Sequence, residues 1–174
     1  GGLLADGVLA WAPPTAVHDR AFYGQRRDDN GGAVQLSLVE AAYLARQGVL
    51  SLADDGDGDA TTDEAAVIER GREVEGERFD RRLRAYAALR AAGSVPKSGF
   101  KFGADFRTYD TFTTVDEMDH STRLIRVVSP AHTFLPRDLS LDVRLAGGVR
   151  KRMVFALTDV NEGIDWLSVA RLTP

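Results

Sequence analysis

The chain has 174 residues, 44% of them hydrophobic, and a formal net charge of −4, enough apolar material for one large domain or two small ones with cores. Zero cysteines exclude disulfides, thiolate metal sites and cysteine nucleophiles and fit a cytoplasmic protein, and no run approaches the roughly 18 apolar residues of a membrane helix. Charge is uneven: residues 1–80 hold 7 basic and 16 acidic side chains, residues 81–174 hold 15 and 10, so only the back half suits a polyanion.

Along the chain, LLADGVLAWAP (3–13) reads as two short strands around an Asp-Gly turn, ended by Pro13-Pro14. LSLVEAAYLARQG (36–48) is an amphipathic helix capped by Ser37 and stopped by Gly48, with an apolar stripe of Leu38, Ala41, Ala42 and Ala45. ADDGDGDATTD (53–63) cannot build a core and reads as a solvated linker or loop tip. Residues 63–93 have helical period, weakened by Gly71 and Gly76, with Phe79, Leu83, Tyr86 and Leu89 or Arg90 along one face and Gly93 as the stop. Then the texture changes. SGFKFGADFRTYD (98–110), TRLIRVV (122–128), RMVFALTD (152–159) and GIDWLSVARL (163–172) read as strands. Between them, 136–151 carries a helical stripe of Leu139, Val143 and Leu145 or Ala146, with Asp138 as its cap. The expected division is a small domain over 1–60, a helical connector over 61–93, and a mixed-sheet domain over 94–174.

Three residues of the back half make a chemical set. Tyr109 and His120 flank an acidic, turn-like insert, and Lys151, one of three lysines against 19 arginines, stands where a helix gives way to a strand apolar on both faces. Cleaving RNA through its own 2′-hydroxyl needs a base on that hydroxyl, an acid on the departing 5′-oxygen and a cation on the pentavalent phosphorus. Histidine suits the acid, with an unperturbed pKa of about 6.5. A phenol, at about 10, is a poor base unless a neighbouring cation lowers it, and Lys151 is the candidate cation. Taken singly, Tyr109 reads equally as a strand-end aromatic, His120 as a loop histidine and Lys151 as a surface cation. Spacing alone does not bring the three together.

KSGFKFGADFRTY, HSTRLIRVV and VRLAGGVRKRMVFALTD together resemble the catalytic domain of the archaeal tRNA-splicing endonuclease, and LSLVEAAYLARQGVL resembles that family's amino-terminal domain. The resemblance implies an α+β chain: a small N-terminal α/β domain, mainly architectural, then a restriction-endonuclease-like mixed-sheet catalytic domain with flanking helices. It implies a catalytic triad of Tyr109, His120 and Lys151, needing no cofactor and no metal. The implied substrate is precursor tRNA folded as a bulge–helix–bulge, cut at exon–intron junctions to leave a 2′,3′-cyclic phosphate and a 5′-hydroxyl. The implied partner is a second copy, a paired subunit or a tandem repeat, since members act as homotetramers, tandem-repeat dimers or heterotetramers. Gly1-Gly2 in place of an initiator Met, and the arginine excess, fit the catalytic carboxy-terminal half of a haloarchaeal tandem chain.

By the same resemblance Arg144 and Trp166 match positions that grip a bulge base at the partner's site, as a guanidinium and an indole can. Asp159 and Glu162 match an acidic turn that docks into a basic cleft of the opposing unit. Thr122-Arg123 depart from the acidic or aromatic residues common there, which touches substrate contacts rather than the chemistry. Two rivals stand beside this reading. A metal-dependent, restriction-like nuclease would place a carboxylate two residues before a lysine, yet Val95, Gly99 and Val149 hold those positions. A non-catalytic structural subunit of the same complex would have no need of an intact Tyr–His–Lys set.

Overall fold

A computed structural model of the chain describes residues 2–10, 17–18, 21–27, 33–52, 63–110, 121–159 and 163–172. Of the expected site residues, His120 and Glu162 lie outside these, as does nearly all of the 53–63 linker. The chain divides into two compact units, Gly1–Leu83 and Arg84–Pro174. Each contains helices and one sheet, an α+β architecture. Among the described residues no helix is long and apolar enough to cross a membrane.

In the first unit, β1 (Gly2–Leu3) and β2 (Gly7–Ala10) pair antiparallel around the Asp-Gly turn. The sheet continues with β4 (Ala33–Ser37) and the edge strand β3 (Gln25–Arg27), in the order β1-β2-β4-β3. Helix α1 (Leu38–Arg46) follows β4 without a loop because Ser37 caps it as expected. The Glu40 amide donates to Ser37 Oγ at 3.3 Å, and the Ser37 amide donates to Glu40 Oε2 at 3.0 Å, satisfying two end groups at once. Glu40 is buried, and its other oxygen accepts the Gly24 amide at 3.0 Å, so one carboxylate serves both helix cap and sheet. The helical stretch expected over 63–93 is two helices, α2 (Asp63–Glu75) and α3 (Glu77–Ala91). They break at Gly76, whose φ of +62° is left-handed and unfavourable for a residue with a Cβ.

The second unit is a five-stranded sheet in the order β5-β6-β7-β8-β9: β5 (Val95–Ser98), β6 (Phe106–Tyr109), β7 (Arg123–Val128), β8 (Arg152–Thr158) and β9 (Ile164–Val169). Only β7 and β8 pair in parallel, and helix α4 (Pro136–Gly148) makes that crossover. The expected strand over 98–110 is instead strand, turn, strand. A short 3-10 turn at Phe100–Phe102 and a left-handed Gly103 (φ +63°) reverse the chain between β5 and β6. The cap of α4 also differs from expectation. Leu135 occupies the cap position with no side-chain bond, Pro136 opens the helix, and Asp138 lies in its first turn.

Strand β8 lies inside the sheet between β7 and β9, so both its faces are apolar. Met153 and Phe155 join Ala104, Leu124 and Ala146 in the core under α4. Val154 and Ala156 face the other way, as does Phe106, whose ring meets Tyr86 of α3 at 5.7 Å. The sheet therefore has an α4 face and an α3 face, and the period of two sorts the remaining residues between them.

Candidate active site

Tyr109 ends β6, paired with Val95, and its side chain is buried on the α4 face. Beyond it the chain re-enters the described structure at Ser121, close alongside, for the Thr122 amide donates to Thr108 O at 2.9 Å. The two ends of the intervening segment are tied by side chains as well. Asp110 accepts from Thr122 Oγ1 at 2.7 Å and Ser94 Oγ at 3.0 Å, and pairs with Arg123. Burial raises this carboxyl, but the bonds from Thr122, Ser94 and Arg123, with the arginine's charge, outweigh it and hold it below the ordinary value.

Lys151 is placed by the end of α4. The amides of Val149 and Lys151 both donate to Ala146 O, at 3.2 and 2.8 Å, and Arg150 between them takes a left-handed φ of +57°. A non-glycine residue there is strained, and the kink delivers Lys151 to the mouth of β8. Its Nζ donates to Ser121 O at 2.8 Å and lies 5.7 Å from the centroid of Phe102. Burial first, then the charge of Arg107, hold its ammonium below the ordinary lysine value.

Phe102 and Arg107 thus connect Tyr109 to Lys151. The Arg107 guanidinium lies 5.6 Å from the Tyr109 ring centroid and 6.0 Å from that of Phe102. His120 lies outside the described residues, but its neighbour Ser121 is the residue that Lys151 grips. Sequence reasoning named neither Phe102, Arg107 nor Ser121 as site residues. Period two could have found Arg107, since it stands two positions before Tyr109 on one strand. Nothing in the sequence signals the Lys151–Ser121 bond, a backbone contact across 30 residues.

The other expected residues lie further out. Arg144, on the exposed side of α4, lines an open cleft of about 1020 Å³ that Lys151 and Arg171 also border. Trp166, 43% exposed, lines a different cleft of about 550 Å³ on the α3 face with Asp110 and Arg123. Arg152 borders both. The structure does not bring Arg144 and Trp166 into one cleft. Asp159 directly follows β8.

Residues 79–166 match the model described as tRNA intron endonuclease, catalytic C-terminal domain. Residues 1–65 match the one described as tRNA intron endonuclease, N-terminal domain. The tRNA-splicing endonuclease of Haloferax volcanii is 61% identical over 175 residues, covering 99% of this chain and 49% of the relative. Those of Haloarcula marismortui and Natronomonas pharaonis are 57% and 58% identical, each covering 100% of this chain and 50% and 49% of themselves. The chain spans about half the length of the curated relatives it matches. With both domain models matched in order along the chain, the chain belongs to the tRNA intron endonuclease family.

Proposed function

We propose that this chain supplies a catalytic site of a tRNA-intron endonuclease acting in the cytoplasm on precursor tRNA at bulge–helix–bulge junctions. The observation that carries the reading is the bond from Lys151 Nζ to Ser121 O. It sets a cation beside the residue following His120, on the sheet face that holds Tyr109. In this reading Tyr109, as its phenolate, takes the proton of the 2′-hydroxyl as the 2′-oxygen bonds to phosphorus. His120 gives a proton to the 5′-oxygen as the P–O5′ bond breaks, and Lys151 stabilises the doubly charged phosphorane between them. The products are a 2′,3′-cyclic phosphate and a 5′-hydroxyl, and protons balance without a metal.

Assembly belongs to the same proposal. Two bulges need two sites, from a second copy, a paired subunit or a tandem repeat. Arg144 and Trp166, which line separate clefts of this chain, grip a bulge base at the partner's site, and Asp159 and Glu162 dock on a basic surface of the opposing unit. Charge reversal, Asp159→Lys with Glu162→Lys, should then dissociate the assembly and abolish cleavage; a wild-type-sized, active particle in light scattering would refute the docking role. The function itself is tested with a prefolded bulge–helix–bulge RNA in EDTA. Cleavage with cyclic-phosphate ends is expected. Activity that disappears in EDTA and returns with magnesium would rule out the Tyr–His–Lys chemistry.

A further inference from the structure

Arg107 is a cation that the catalytic triad does not use. Its neighbours across the sheet are Lys97 on β5 and Leu124 on β7, neither of which can neutralise it. Asp142, the acidic residue of α4 that reaches this face, is taken by Arg126 at 2.9 Å. No carboxylate among the described residues pairs with Arg107. Its Nε is sealed from solvent without a hydrogen-bond partner, its guanidinium rests on the rings of Phe102 and Tyr109, and Lys151 lies on the same Phe102 ring.

For the protein alone this is an unfavourable arrangement. A buried N–H without an acceptor and two neighbouring like charges both oppose folding. Ring contacts offset only part of that. The other guanidinium nitrogens are not sealed and stay open to solvent, where an anion with several acceptor oxygens can meet them, and the planar fork matches a phosphate better than an ammonium does. Aromatic packing on two sides removes the freedom that an arginine side chain would otherwise lose on binding.

The geometry points to Arg107 as a second catalytic cation, binding a non-bridging oxygen of the scissile phosphate beside Lys151. The assignment rests on the proposed function, and it divides the work. Lys151, tied to Ser121, is a fixed point charge, while Arg107 orients the phosphate so that the 2′-oxygen, phosphorus and 5′-oxygen line up. Charge on the non-bridging oxygens grows as the fifth bond forms, so the contact strengthens in the transition state.

The test is single-turnover cleavage of a bulge–helix–bulge RNA by the complete endonuclease carrying Arg107→Ala. The rate should fall about 10²-fold, the size typical of losing one oxyanion donor, with RNA affinity little changed. Added guanidinium ion should restore part of the rate to this variant and not to wild type. Wild type should also discriminate between the two phosphorothioate diastereomers at the cleavage site, and the variant should lose that preference. An Ala variant within about 3-fold of wild type, with the preference intact, overturns the assignment. If Arg107→Ala fails to melt cooperatively, Arg107→Lys is read instead: about 10-fold slower supports the fork, and the full wild-type rate overturns it. Should wild type itself leave bulged RNA uncut, the functional reading fails, and inorganic phosphate judges Arg107 separately. Phosphate should raise the melting temperature of wild type and not of Arg107→Gln; an equal rise in both removes Arg107 as an anion ligand.

Discussion

Arg107 and Arg123 leave opposite faces of one five-stranded sheet, from neighbouring strands, into opposite kinds of surroundings. On the α3 face Arg123 donates to Asp110 and to Ser94 Oγ at 3.1 Å, and Asp110 takes two more bonds from Ser94 and Thr122. Charge there is answered within the chain, although Arg123 Nε, like that of Arg107, is sealed from solvent without a partner, and the cluster ties together the two ends of the segment between Tyr109 and Ser121. On the α4 face Arg107 and Lys151 sit near one another with rings and one carbonyl for company. A closed set of partners holds a fold together; an open set of cations holds a place for an anion. The same residue type therefore serves structure on one side and chemistry on the other.

If that division is right, changes at Lys151 and at the proposed acid His120 should alter rate far more than stability. The largest effect is expected for His120→Ala, about 10²–10⁴-fold slower in single-turnover cleavage with bulged-RNA affinity retained, as befits a general acid. An unchanged rate would remove His120 from the mechanism. Next comes Lys151→Met, at about 10²–10³-fold, the range for losing electrostatic stabilisation of a developing oxyanion. Its stability should barely move, because the lost bond to Ser121 O is offset by removal of a cation that burial and Arg107 both disfavour. A large drop in melting temperature would mean that Lys151 is mainly a structural tie.

Much of the fold was legible in the sequence, but unevenly, and the contrast between the two arginines was not. Strands β7, β8 and β9 and helix α4 follow from alternation and from an apolar stripe, and Ser37 with Glu40 announces α1. The edge strand β3 was not legible, since Gln25, Arg26 and Arg27 are all exposed and give the chain no pattern to display. Its partner β4 was hidden because it runs straight into α1, so a period of two changes to 3.6 with no loop to mark it. The Gly99–Gly103 reversal was read through as strand, because Phe100 and Phe102 mimic alternation although Phe100 is 88% exposed. At the site, Tyr109 and Lys151 are singled out by likeness to a family motif, not by spacing. That they share a neighbourhood depends on a β-crossover and a backbone carbonyl, which leave no residue-level signature.

The smallest predicted effect lies on the closed face and concerns Asp110. Its carboxyl is held below the ordinary value of 3.8, because bonds from Thr122, Ser94 and Arg123 and the arginine's charge outweigh burial. Between that lowered value and 3.8 the unfolded chain binds more protons than the folded one, so stability rises with pH there. The carboxylate's contribution is thus complete above about pH 4 to 5 and is lost as pH falls through the lower, folded value. Asp110→Asn keeps the shape but not the charge. The two side chains of the ion pair are 36% and 38% exposed, so solvent screens it, and the variant should lose only about 1 kcal/mol at neutral pH. Thermal melts of both proteins from pH 7 downward check this. The gap should be steady at neutral pH and close in acid, once the wild-type carboxyl is protonated as well. A gap that stays open through that titration would trace the loss to packing rather than to charge, and Asp110 would no longer stand as the charged counterpart of the open face.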